Sequence, residues 1–284
     1  MQQLRDLIVS LEQEAASLQI LGRVLTAEED ARVQAITQAL PLLRQAVAFF
    51  PGPASGNNLI TYKISSDRDR RLKSGARTAC NFWNRFVAPR FSIVIRLGVF
   101  TANYSTTIAR AWRPSMKDGV MYGRVEFNTK YLLMFDSNQI AGTIVHEIGH
   151  TLGFGWEDWM KLFDPATGAF NSQAISQLNS LGSMFVETDY GPGTRLSHWD
   201  EQRFDRELMT GFQDSGEYVL PVTIDVMEVL GHRILERLPG QASLHQLLSE
   251  VAQVQFTRQR EAKTLDLDYF EETEIFEEIP HAKG

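Results

Sequence analysis

His146, Glu147 and His150 stand within the run Val145-His146-Glu147-Ile148-Gly149-His150-Thr151-Leu152-Gly153-Phe154-Gly155. On a helix, residues four apart lie one turn apart on the same face, so both imidazoles can reach a single metal ion. Glu147 lies beside the first histidine, where a carboxylate can act as base toward a water at that ion. Gly153 allows a sharp exit from the helix. Chance alone gives this spacing in on the order of one chain in a hundred of this length. Its setting adds to it: Ile140, Ile144 and Ile148 recur at helical spacing, and Asp136 or Ser137 offers an N-cap. The stretch reads as one buried helix with a metal-binding polar edge.

A catalytic zinc needs a third protein ligand and one open position. The other histidines are His198, His232, His245 and His281, and Asp158 is a nearby carboxylate. His232 falls at a helix end, His245 on an amphipathic stretch, and His281 near the C-terminus. His198 sits in the loop-like run Gly191-Pro192-Gly193-Thr194-Arg195-Leu196-Ser197-His198-Trp199, which could return it to the helix. Soon after comes Glu207-Leu208-Met209-Thr210-Gly211, a tight turn whose methionine could form an apolar floor beneath the metal.

These groups need a scaffold. Residues 1–50 predict two helices, with a stripe of Leu4, Leu7, Ile8, Leu11, Ala15 and Leu18 and another of Ile36, Leu40, Leu43 and Val47. Thr26 to Glu29 has the form of a capping box, and Pro41 is expected to kink or split the second helix. The turn-rich residues 51–58 form a linker. From there to residue 239 strands and helices alternate: a strand over Leu59–Ser65, a helix over Asp69–Phe86, a strand over Phe91–Leu97, and another over Thr107–Trp112. Val120–Asn128 alternates as a half-exposed edge strand would, just before the metal helix, where it could line a cleft and pair with an extended peptide. Asp164-Pro165-Ala166-Thr167-Gly168 reads as a turn in preference to a calcium loop. Residues 240–284 hold an amphipathic helix, marked by Leu244, Leu247, Leu248, Val251 and Val254, and then an acidic tail.

At 284 residues the chain has room for one large domain with small additions. The net charge of −7 is concentrated: residues 264–279 carry Asp266, Asp268, Glu271, Glu272, Glu274, Glu277 and Glu278 without a lysine or arginine. No basic stripe points to nucleic acid, and the acidic tail could dock on a protein partner. No stretch approaches a membrane span, and the first residues lack the pattern of a secretory signal. A cytoplasmic location or export by a leaderless route is therefore expected. Cys80, the single cysteine, excludes an intramolecular disulfide and reads as a small core residue.

Taken together, three separated motifs resemble the leishmanolysin-type metzincins, particularly their shorter bacterial forms. They are His146–Gly155, then Val186-Glu187 with Gly191-Pro192-Gly193-Thr194 before Ser197-His198-Trp199, and Glu207–Gly211. Val222–Gly231 is also similar to that family's C-terminal helix. The resemblance covers roughly residues 59–235. It implies an α+β fold: a metzincin catalytic domain with a twisted mixed sheet and an active-site helix, flanked by helical N- and C-terminal extensions. It further implies zinc held by His146, His150 and His198, Glu147 as general base, Met209 as the Met-turn residue, and a polypeptide as substrate of a zinc-dependent endopeptidase. In the compact metzincin pattern the third ligand would stand at Trp156, which cannot bind zinc; the resemblance places it instead beyond an insertion. The chain departs from extracellular members in its single cysteine. A rival from another class is a catalytically silent zincin-fold protein serving a larger assembly.

Overall fold

The computed structural model describes residues 25–49, 58–64 and 70–252, together with Ser10, Leu11, Glu14, Ala15 and Leu18, and only the backbone over 41–49. The chain divides into two compact units, Met1–Pro53 and Ala54–Gly284. In the first, helix α1 spans Ala27–Phe49. Its start is the expected capping box: the Glu29 carboxylate accepts from Thr26 N (2.8 Å) and Thr26 Oγ1 accepts from Glu29 N (3.2 Å). The helix runs through Pro41 without a break, so the expected split is corrected. The helix predicted before it lies almost entirely outside the described residues, as do His281 and the acidic tail.

The second unit is α+β, built on a mixed four-stranded sheet. Strands β1 (Ile60–Ile64), β2 (Ser92–Phe100), β3 (Ala109–Lys117) and β4 (Val120–Asn128) lie in the order β1-β2-β4-β3. The first three in that order run parallel, and β3 closes the sheet antiparallel to β4. The edge beside the metal helix is therefore β3, and β4, expected at the edge, is an inner strand. Its alternation has another cause: the outward carboxylate of Glu126 takes up both Arg110 and Arg124, so polar residues line one face of an inner strand. The β3–β4 hairpin turns at Asp118 (φ 50°) and Gly119 (φ 78°), a pair of left-handed residues suited to a two-residue loop.

Helix α2 (Arg70–Phe86) bridges β1 and β2, and α3 (Ser137–Leu152) follows β4. Both bury their apolar faces against the sheet and each other. They approach closely at Gly75, where a Cβ would stand 3.1 Å from Ile144 and 3.2 Å from Ile140. Trp83 Nε1 donates to the Val145 carbonyl at 2.8 Å, tying α2 to the middle of α3. Helix α4 (Pro221–Val229) and helix α5 (Leu244–Ala252) complete the same core, the latter through Leu244, Leu247, Leu248 and Val251. No helix among the described residues is long and apolar enough to cross a membrane.

The start of α3 is a capping box, with Asp136 accepting from Asn138 N and Gln139 N while Gln139 Oε1 accepts from Asp136 N. The far end stops at Gly153 (φ 135°). A helix end leaves carbonyls without intrahelical partners, and here they find donors from outside. Trp156 Nε1 donates to His150 O at 2.9 Å and His232 Nε2 to Leu152 O at 2.6 Å. His232 also accepts from Arg90 N at Nδ1 (3.0 Å), so the ring is a neutral clasp between two segments.

Burial depresses the His232 pKa to about 4, from 6.5. Folding therefore opposes its protonation, and the clasp contributes fully above pH 6.5. That contribution is lost as pH falls from 6.5 toward 4, by roughly 3 kcal/mol. Urea midpoints of wild type and His232→Asn should differ most at pH 7.5 and converge toward pH 4.5. A gap that does not change with pH would contradict a neutral clasp.

Candidate metal centre

His146 and His150 project from α3 as their spacing requires, and His198 returns to meet them. The three Nε2 atoms form a near-equilateral triangle: 3.1 Å from His146 to His198, 3.1 Å from His146 to His150, and 3.2 Å from His150 to His198. His150 and His198 are fully or almost fully buried. Each ring is oriented from behind by a backbone carbonyl. His146 Nδ1 lies 2.8 Å from Leu208 O, His150 Nδ1 3.1 Å from Phe154 O, and His198 Nδ1 3.0 Å from Thr194 O.

Those carbonyls decide the tautomers. A carbonyl oxygen only accepts, so each Nδ1 carries the proton and each neutral Nε2 presents a lone pair. Three lone pairs then point at one another across about 3 Å. The arrangement is unfavourable until a cation sits among them, and three imidazole nitrogens are a donor set that zinc accepts. Tetrahedral zinc with bonds of about 2.05 Å would space its nitrogens by about 3.3 Å, close to the triangle found here. Backbone support at the distal ring nitrogen is the usual means of orienting a metal-binding histidine.

The insert after Gly155 brings His198 back by folding around aromatic rings. Phe154, Trp159, Phe170 and Trp199 are all buried, with centroid separations of 4.4 Å for Phe154–Trp159 and 5.2 Å for Trp159–Trp199. Trp159 Nε1 donates to Leu196 O at 2.8 Å, two residues before the ligand. The Asp164–Gly168 run is a turn: the Asp164 carboxylate accepts from Ala166 N and Thr167 Oγ1, Gly168 N donates to Asp164 O, and Gly168 has φ 69°. Gly168 O in turn accepts from Val186 N, and Val186 bridges to Trp199.

Met209 is fully buried against Gly149, where an added Cβ would lie 2.7 Å from its sulfur. Its turn also couples the ligands, because Leu208 O holds His146 while Met209 O accepts from Trp199 N at 2.9 Å. Sequence reasoning did not assign the group that holds this turn. The buried Glu207 carboxylate accepts from Met209 N (2.7 Å), Leu220 N (3.1 Å) and Thr223 Oγ1 (2.6 Å). Thr223 itself accepts from Trp199 Nε1 at 2.9 Å. Burial raises Glu207 to about 7 even against those hydrogen bonds. Glu187 has a similar part, accepting from Asp189 N at 2.7 Å and Glu201 N at 3.0 Å beside the His198 segment. The available signal was an acid two residues before the methionine.

The other candidate ligands lie elsewhere. His232 is the clasp already described, His245 is exposed on α5, and Asp158 pairs with Lys161 at 2.8 Å. Trp156 serves the helix end through its indole N–H. Cys80 is buried in the core.

A cleft of about 550 Å³ opens beside His146 and Glu147. One wall is α3, through Gly142 and Thr143. The opposite wall comes from Thr106–Ala109, where the chain enters edge strand β3. Tyr190 and Phe212, in ring contact at 4.9 Å, also line it. Glu147 is 2 % exposed and lines this space.

The chain matches no protein-family model, no curated protein and no solved structure. The likeness to metzincins accordingly rests on the motifs quoted above.

Zinc added at a hundredfold excess over its Kd should stabilise the protein by about 2.7 kcal/mol. For a unit of this size that is a rise in Tm of roughly 5–11 °C. His198→Ala should abolish the rise, as should a chelator. An undiminished shift in that variant would exclude His198 as a ligand. Glu207→Ala strands three buried donors at about 1–3 kcal/mol each, so its Tm should fall well below that of wild type in metal-free buffer. An unchanged Tm would remove Glu207 from the framework of the turn.

Proposed function

We propose that this chain is a zinc-dependent endopeptidase with a metzincin-type catalytic unit. One observation carries the reading: three carbonyl-oriented imidazoles aim their Nε2 lone pairs at one point, beside a cleft that His146 and Glu147 line. His146, His150 and His198 would hold the ion. When bound, zinc supplies Lewis acidity, making water a nucleophile near neutral pH and polarising a carbonyl.

The chain's own groups supply the rest. Glu147 follows the first ligand on the same helix, so its carboxylate is positioned by the same capped, packed element as the histidines. It takes the proton from the attacking water and delivers it to the leaving amine. The residues entering β3 give the cleft a wall next to a sheet edge, where an extended peptide can add as a further strand. Backbone pairing of that kind reads main chain and suits a polypeptide substrate. Tyr190 and Phe212 give the cleft an aromatic lining against which substrate side chains can pack.

Glu147→Ala should keep near-stoichiometric zinc and lose about 10²- to 10⁴-fold or more in cleavage of casein, the range expected for a general base. Zinc is measured by elemental analysis of the same preparation. Cleavage by the variant at the wild-type rate would refute the mechanism, and a metal-free wild type after zinc loading would refute the site.

A further inference from the structure

The two faces of the sheet differ in charge. A Cβ added to Gly123 of β4 would meet Thr151 of α3 at 2.6 Å and Ile95 of β2 at 3.0 Å, so these residues face the helices. Alternation turns their neighbours along each strand to the opposite face. There Lys63, Arg96 and Arg124 stand in register on β1, β2 and β4, and Arg110 of β3 stands beside Glu126. The four strands together carry Lys63, Arg96, Arg110, Arg113, Lys117 and Arg124, with Glu126 as their single acid. Like charges side by side across strands destabilise a sheet, and neighbouring strands are only about 4.8 Å apart.

Glu126 offsets part of this charge by pairing with Arg110 and Arg124. Those two guanidinium groups lie over Trp112 at 4.6 and 4.5 Å, and Arg110 also over Phe100 at 4.1 Å, which holds the cations against the sheet. Val94 and Trp112 lie on this face, outside the apolar core, and are 4 % and 7 % exposed, as residues of a covered layer are.

Complementary charge lies in the same chain. Residues 264–279 carry seven acids and no base, and Leu265, Leu267 and Tyr269 alternate with Asp266 and Asp268. In an extended segment that alternation turns the two aspartates to one side, about 6.7 Å apart. Helix α5 ends at Ala252 on the β1 side of the sheet. Asn81 of α2 donates to Val251 O at 3.2 Å, and Asn84, one turn further along α2, bonds to both the N–H and the carbonyl of Ile60 at the start of β1. The fourteen residues from Ala252 to Asp266 can reach about 45 Å, while a unit of this size has a radius of gyration of about 17 Å.

We infer that the acidic segment 264–279 docks on the basic face of its own sheet, pairing with Lys63, Arg96, Arg110 and Arg124 and strapping the strands together from the side opposite the helices. Single exposed ion pairs are weak. The tether, however, keeps the segment at an effective concentration on the order of millimolar, so a contact with a Kd of about 0.1 mM keeps it docked. A separate protein partner lacks that advantage. Ala109 of the cleft wall directly precedes Arg110, so the strap also anchors the strand that forms this wall. The docking needs neither metal nor substrate.

Zero-length carbodiimide coupling of the full chain at low salt tests it. Lys63 offers one amine on the face, and Arg96→Lys adds a second without changing the charge. Trypsin releases the segment as Thr264–Lys283, and mass spectrometry of the monomer fraction should find it joined to position 63 or 96. The yield should fall about fivefold or more in 1 M salt, where the Debye length is about 3 Å. No such link, or links only between two chains, would overturn the proposal. A labelled 264–279 peptide gives a second readout. It should bind a full-chain variant with Asp266, Asp268, Glu271 and Glu272 changed to amides about tenfold or more tighter than wild type, whose own segment competes. Adding Arg96→Gln should reverse that gain. The amide variant keeps every residue of the described fold, so misfolding does not mimic the result. Equal binding by wild type and the amide variant would refute the docking.

Discussion

A backbone carbonyl behind each imidazole fixes which nitrogen holds the proton, and with it the direction of the opposite lone pair. Leu208 O, Phe154 O and Thr194 O do this for three rings drawn from two distant parts of the chain. The resulting convergence of lone pairs works against folding in the absence of a cation, since like dipole ends face each other at about 3 Å. The surrounding structure must hold the rings there by other means. Much of the architecture between Gly153 and Leu220 can be understood as meeting that requirement.

Two kinds of interaction meet it. Apolar burial supplies most of the energy, because Phe154, Trp159, Phe170 and Trp199 form one cluster and fully burying an aromatic ring contributes about 1.5–3 kcal/mol. That cluster brings the insert close but does not aim a ring to a fraction of an ångström. Directional bonds do so, through Glu207 on the Met209 turn and Glu187 on the His198 segment. The Glu207 carboxylate collects three donors and still has its pKa raised to about 7, so burial outweighs hydrogen bonding there. Because the folded value lies above the unfolded one, stability from this group is fullest below about pH 4.5 and declines as pH rises through 7. Placing an acid there trades stability at neutral pH for a fixed turn.

Helix α3 and the placing of His146 and His150 on one of its faces were legible in the sequence because their signals are local. Capping residues, helical spacing of Ile140, Ile144 and Ile148, and a glycine stop all act within a few residues. His198 and Met209 came from the order of separated motifs, and the structure brings both to the helix. Strand order was not legible. Alternation in Val120–Asn128 reports that one face is polar, and an edge strand and an inner strand with a solvent face share that pattern. The overlooked signal was Asp118-Gly119, which makes β3 and β4 a hairpin and carries β3 to the outside. Nor could sequence reveal the carbonyls behind the histidines, since every residue has one and only the fold selects which is used.

The glycines of α3 show how local stability gives way to the site. Gly142 and Gly149 are both buried inside a helix, where each costs about 0.5–1 kcal/mol relative to alanine. Neither is needed for a turn. Gly149 lets the Met209 sulfur come against the helix between His146 and His150, and Gly142 lets Leu244 and the Glu217 carboxylate come against it. Alanine in either place would favour the helix by propensity but would bring a Cβ to 2.7 Å from the Met209 sulfur or 3.1 Å from Leu244 Cδ2. A helix otherwise well capped and well packed thus departs from its own propensities at two positions where other chain segments pack against it.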